Sequence, residues 1–244
     1  DVALDDQMYN TNDVDVTWES SSMRSWLNGY GASVNQPKTD YSRKNFINSA
    51  FTSTQRSAIK TTNVVNNNNI NYGTAGGNNT SDKVFLLSES EVYNTDTAAG
   101  YGFVKDDTRD EARRSRCSTY AYAMGTARYQ RPLVCNNVRW WLRSPGKNSN
   151  YAAIVDDGGW AIDTGNQVTA HFDGVRPALY IDISAVNIAD IYAGTVCSDG
   201  TVSEGKEETD NIASPLQKSG EFKFETSLDN IVNTSGEDNK TAKY

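Results

Sequence analysis

The sequence predicts an α+β domain with a twisted, mainly antiparallel sheet from its second half and two or three helices from its first. A polar C-terminal tail follows. Two observations carry the sheet. The apolar runs Val138-Arg139-Trp140-Trp141-Leu142-Arg143-Ser144-Pro145-Gly146 and Gly174-Val175-Arg176-Pro177-Ala178-Leu179-Tyr180-Ile181 each hold an arginine beside a proline, so each reads as a strand that stops or bends at a defined place. Between them, residues 151–155 and 160–163 flank Asp156-Asp157-Gly158-Gly159, the turn chemistry of a short hairpin. The tail follows from composition, because residues 198–244 are rich in polar and acidic groups and cannot bury much surface.

Along the chain, residues 20–28 predict a helix: serines to cap it, Met23, Trp26 and Leu27 on one face, Gly29 to end it. Residues 40–51 predict a second, with Phe46, Ile47, Ala50 and Phe51 at helical spacing, and residues 53–59 a third. Residues 61–65 read as a strand and residues 66–81, nearly devoid of apolar groups, as a solvated excursion. Residues 83–87 are an apolar strand, and Ser88 with Glu91 forms a capping box that starts a helix at Glu89. The charge run over residues 106–116 suits a solvated helix with an Asp110–Arg114 pair. One tail strand is expected at residues 221–225.

Composition excludes several function classes. Of 244 residues, 37% are hydrophobic, with 13 Tyr and 5 Trp as the large groups to bury. A net charge of −8 and a pI near 4.7 repel phosphates, so nucleic acid is not an expected partner. No apolar run approaches the roughly 20 residues that span a bilayer, and no membrane insertion is expected. Three cysteines lack the spacing of a zinc site; free or buried thiols and a Cys117–Cys135 disulfide both stay open, with Cys197 as the odd thiol.

The pair of boxes about thirty residues apart resembles a domain family of unknown function in secreted and wall-attached proteins of Gram-positive bacteria. Trp18 with Met23-Arg24-Ser25-Trp26-Leu27-Asn28, and then Asp82-Lys83-Val84-Phe85-Leu86-Leu87-Ser88, precede the boxes in that family's order. The similarity covers roughly residues 3–183. It implies a C-type-lectin-like fold, shared with formylglycine-generating enzymes and with retroelement-diversified variable proteins, over residues 1–186, with a linker or tail over 187–244. It also implies one or two strands ahead of the position of Ala3 that are missing here, and an extracellular or cell-surface location. The enzymes' chemistry does not carry over, because their close cysteine pair has no counterpart: Cys117 and Cys135 precede both boxes and Cys197 follows them.

The candidate ligand-binding surface is the polar insert between the boxes, with Tyr151, Asp156, Asp157, Trp160, Asp163, Asn166, Gln167 and His171. Exposed rings beside amides and carboxylates suit a glycan or a protein surface, since the ring gives area and the polar groups set orientation. Period-2 alternation, however, puts Trp160 on the side of Ile162, which argues for burial. Arg143 and Arg176 sit in apolar runs and are expected to clamp loop backbones. His171, the single histidine, lacks a nucleophile context for a hydrolytic triad. No cofactor is expected. Calcium is the one cation the insert could hold, through Asp156, Asp157, Asp163 and Asp173, although the Asp-x-Asp-x-Asp-Gly register is missing. The expected function is a non-catalytic adhesion module for a glycan or surface protein. The alternatives are a self-associating subunit of a surface fibre or layer, and a glycan hydrolase using two insert carboxylates.

Overall fold

The computed structural model describes residues 2–93, 101–103, 110–126, 137–182, 195–197, 202–203 and 241–243. The chain divides into two units, residues 1–52 with 59–180 and residues 53–58 with 181–244. In chain order the elements are β1 (Val2–Ala3), β2 (Asp5–Asp6), α1 (Ser22–Asn28), α2 (Phe46–Ala50), α3 (Ser53–Ala58), β3 (Thr62–Val64), β4 (Thr80–Asp82), β5 (Val84–Leu86) and α4 (Glu89–Val92). Then come β6 (Ser115–Cys117), α5 (Thr119–Met124), β7 (Asn137–Val138), β8 (Trp140–Pro145), β9 (Tyr151–Val155), β10 (Ala161–Gln167), β11 (Gly174–Val175) and β12 (Pro177–Leu179), and in the tail β13 (Thr195–Cys197), β14 (Val202–Ser203) and β15 (Thr241–Lys243). Single 3-10 turns lie at Trp18–Ser20 and Glu111–Arg113. The chain is thus α+β, with mostly small sheets and few, short helices.

In the larger unit the principal sheet has five strands in the order β10-β9-β8-β11-β2. The two boxes meet in it, since β11 lies parallel to β8 with Gly174 opposite Trp140. Trp140, Leu142 and Val175 are fully buried there. Ala178 and Leu179, expected in the same sheet, are instead half-buried in β12, which pairs with β5 as a separate two-stranded ladder. Arg176 and Pro177 break the run, since proline has no N–H to extend the first ladder. The remaining pairings are β1-β6-β7 and β3-β4, and in this unit every pair except β1–β6 and β8–β11 is antiparallel.

Local chemistry sets the helices. Ser21 Oγ accepts from Arg24 N at 3.1 Å and Gly29, at φ 73°, ends α1, so this seven-residue helix is fixed at both ends. So short a helix is not stable alone; burial of Met23 and Leu27 against the core holds it. The second helix is shorter than residues 40–51 because Asn45 caps it, accepting from Asn48 N at 2.9 Å while donating to Tyr41 O. The charge run also differs from expectation: the described part, residues 110–116, is a 3-10 turn followed by a strand. Arg113 is fully buried, donates to Val92 O at 3.2 Å and stacks on Tyr93, and Arg114 pairs with Glu111 rather than Asp110. A buried guanidinium tolerates this because a carbonyl, a ring and the Asp110 carboxylate, 3.8 Å from its Nε, replace water.

The core joins buried residues of the principal sheet with those of α1, α2 and α4. Trp18, Trp140, Trp141 and Tyr9 are its largest buried rings, with Tyr9 centred 5.8 Å from Trp141 and 6.3 Å from Trp18. All three indoles are satisfied: Trp18 Nε1 donates to Asp82, Trp140 Nε1 to Arg113 O and Trp141 Nε1 to Gln7 O. A smaller cluster joins Ala3, Cys117, Ala121 and Val138. Cys117 is disulfide-bonded, which corrects the free-thiol reading for this residue; Cys135 lies outside the described residues.

In the second unit Asp182 N donates to Ala58 O at 2.7 Å, and the tail strands pair with one another in the order β14-β13-β15. These short strands fall where the sequence carries the β-branched residues Thr195, Val196, Val202 and Thr241. Residues 221–225 lie outside the described residues.

Candidate functional site

The polar insert is the β9–β10 hairpin. Its turn is held by three hydrogen bonds, Asp156 N to Trp160 O and Trp160 N to Asp156 Oδ1, both 2.9 Å, and Gly159 N to Asp156 O at 3.0 Å. Gly159 has φ +86°, and a Cβ there would lie 2.3 Å from Asp110 O, so the backbone of the 110–114 segment packs where a side chain would stand. Arg114, paired with Glu111, reaches Gly158 O at 3.4 Å. The result is a rigid turn from which the Trp160 ring stands 45% exposed. Alternation misjudges this ring because the strand begins at Ala161; Trp160 belongs to the turn, where period 2 does not apply.

The other residues of the insert are not gathered around Trp160. The seven residues of β10 put roughly 20 Å between its two ends. At the far end Gln167 Nε2 donates to Asp13 Oδ2 at 2.6 Å, and Asn166 Nδ2 to the buried Asp173 at 2.7 Å. Tyr151 is half-buried under the Lys147 ammonium, and His171 is exposed. Between the ends a bulge carries Asp163, whose Oδ2 accepts from Asn71 Nδ2 at 2.5 Å. Asp156, Asp163 and Asp173 therefore stand on three different sets of partners. Among the described residues no group of three His, Cys, Asp or Glu is assembled for a metal ion.

Residues 66–79 are largely exposed, as expected of the excursion over 66–81, but they are not loose. Read as solvated, this excursion is bolted to the hairpin by Asn69, only 1% exposed, whose Nδ2 donates to Pro145 O and Asp163 O, both at 2.9 Å. Its Oδ1 accepts from Asn71 N and Tyr72 N, and Thr74 Oγ1 donates to Lys147 O. Four hydrogen bonds on one amide make burial affordable where apolar groups are lacking. They present Ile70, 83% exposed, and Tyr72 on a fixed loop. Asn69→Ala should destabilise the larger unit by about 1–3 kcal/mol, since it orphans two carbonyls. Chemical denaturation measures this, and trypsin cleavage at Lys147 should speed up.

The matches to known proteins are narrow. The family described as a domain of unknown function, DUF6273, matches residues 1–183. The chain belongs to the DUF6273 family. Comparison with curated proteins and with solved structures gives no match. Among its described residues, no helix of this DUF6273 chain is long and apolar enough to cross a membrane.

Two features of the DUF6273 domain escaped sequence reasoning. Glu89, the first residue of α4, donates its N–H to Ser144 Oγ at 2.9 Å and is buried. Burial, and then the charge of Asp163, push its carboxyl up to about 7. The capping box fixed its place on a helix and nothing more, because Asp163 lies far along the chain. Asp82 is the second. It is fully buried and accepts from Trp18 Nε1 (3.0 Å), Arg24 Nε (2.8 Å), Tyr30 OH (3.0 Å) and Thr80 Oγ1 (2.6 Å). Arg143 and Arg176 both lie over rings, and Arg143 takes backbone partners as well. Arg143 lies over Phe85 and donates to Leu86 O and Val65 O, while Arg176, 4.7 Å over Trp140, is pushed down to about 10 by burial.

Proposed function

We propose that this chain is a non-catalytic ligand-binding module, an adhesion domain for a glycan or protein at a bacterial cell surface, on a C-type-lectin-like scaffold. One observation carries the reading: Trp160 is a large ring held in solvent by a turn whose backbone is fixed on every side. Exposed indole is costly unless it is used, and a preorganised ring loses little entropy on binding. Asp156, Asp157, Glu111 and Arg114 surround the turn with groups that can orient a polar ligand. Tyr151, Asn166, Gln167 and His171 belong to the far end of the hairpin and make a second, separate contact area on this reading.

The test is Trp160→Ala, with glycan-array and surface-protein binding measured alongside thermal melting. The expected result is a melting temperature within a few degrees of the parent and binding weakened at least about tenfold, a typical anchor loss. A folded variant that binds as well as the parent moves the site elsewhere, and an unfolded one makes Trp160 a core residue.

The hydrolase alternative called for two insert carboxylates; what favours it is one of them, Asp163, near the buried Glu89 of α4, whose carboxyl burial and Asp163 push up to about 7. Glycan cleavage abolished by Glu89→Gln, with binding at Trp160 intact, would support it over adhesion.

A further inference from the structure

The short segment Val2–Asp6 joins two sheets. Its β1 half pairs with β6 and its β2 half with β11, where Gly174 faces Asp6 and Val175 faces Asp5. Leu4 N reinforces the junction by donating to Val175 O at 2.8 Å. Carboxylates crowd this seam. Asp5 is buried, Asp173 is fully buried, and Asp6 Oδ1 is buried without a hydrogen-bond partner. Facing them are Arg139, whose Nε is 3.1 Å from Asp173, the neutral Asn166 on β10, and the uncharged Gly125 and Thr126 at the end of α5. A Cβ on Gly125 would lie 2.7 Å from Asp6 Oδ2, so that side of the carboxyl is closed by backbone.

Among the described residues Arg139 is the arginine that pairs with this group of three carboxylates, and water does not reach the buried Asp6 oxygen. We infer that β2 is a proton-operated latch, zipped onto β11 while Asp6 and Asp173 are not both ionised and loosened when they are. Burial comes first in raising Asp6 to about 6, followed by the charges of Asp5 and Asp173. Burial likewise raises Asp173 to about 6, against the opposing pull of Arg139 and Asn166. Asp5 is raised by burial as well. Asp6 feels the charges of Asp5 and Asp173, so its titration follows theirs. The sign follows directly. The zipped form holds protons more tightly than the open form, whose carboxyls return to 3.8. Its advantage is complete below that value and is lost as pH rises through about 6.

Hydrogen exchange of the full chain at about pH 5 and about pH 8, corrected for intrinsic exchange, tests this. Opening of residues 3–6 and 174–175 should increase at least about tenfold at the higher pH, the change one unit of carboxyl shift supplies. The β9 amides should not change. Asp6→Asn should remove most of the response. Protection that is independent of pH, or a full response in Asp6→Asn, overturns the latch. Should that variant fold poorly, carbonyl-carbon NMR titration of the parent decides instead, since Asp6 and Asp173 midpoints near about 4, the unperturbed value, overturn it equally.

Discussion

Asp82→Ala should lower the unfolding free energy of the larger unit by about 4 kcal/mol or more, the range seen when a buried ion pair loses one partner together with its hydrogen bonds. Four donors from four places in the chain converge on this carboxylate. Removing it strands the Arg24 guanidinium, whose side chain is 10% exposed, and leaves the Trp18 indole N–H unpaired in the core. Tyr30, pushed up to about 12 by burial and by Asp82, should titrate at lower pH in the variant. At roughly 2–4 °C per kcal/mol, the melting point should fall by about 10 °C or more. Asp82→Asn, which keeps an acceptor but not the charge, should lose less. A melting point for Asp82→Ala within a few degrees of the parent would show that the hub is not what ties α1 to β4.

The second large effect is expected at Arg143, 3% exposed in its side chain. Its guanidinium donates to Leu86 O at 2.7 Å and Val65 O at 3.0 Å, and grips both oxygens of Glu91. Arg143→Met keeps the volume but abandons two carbonyls and a carboxylate that is only 17% exposed, for a cost of about 3–5 kcal/mol. A double-mutant cycle separates the terms. If the unpaired charge dominates, Glu91→Gln in the Arg143→Met background should recover a good part of the loss in urea denaturation. If the carbonyls dominate, it should recover almost none. Two singles that simply add would show that the pair is not coupled.

The parts of this fold that were legible in the sequence are those written locally. Ser21 and Gly29 mark the ends of α1 within a residue or two, Ser88 and Glu91 mark the start of α4, and Asp156-Asp157-Gly158-Gly159 marks the hairpin turn. Each signal acts over four residues or fewer. What was not legible depends on who meets whom. Asp82 finds Trp18 across 64 residues and Arg143 finds Glu91 across 52, and neither separation leaves a trace in composition or periodicity. The same cause misplaced Arg113 and Asn69. Each is polar and was read as solvated, yet each is buried because a distant backbone supplies its hydrogen bonds. The candidate site shows the limit of proximity in sequence. Trp160 and Gln167 are seven residues apart, but an extended strand carries them to opposite ends of the hairpin.

The covering of β10 by residues 66–79 bears on how this protein behaves when crowded. A sheet's outer strands are where identical molecules zip together into aggregates, unless the exposed backbone is short or already occupied. At one border of the principal sheet, Asp163 O is taken by Asn69 and Thr164 O by Lys147 N, and Gly165, at φ +65°, kinks the strand out of a flat line. At the other border β2 offers only two residues. Neither border is a long flat template. A dense array of copies should therefore stay dispersed through its backbone geometry, not only through the mutual repulsion of its negative charge.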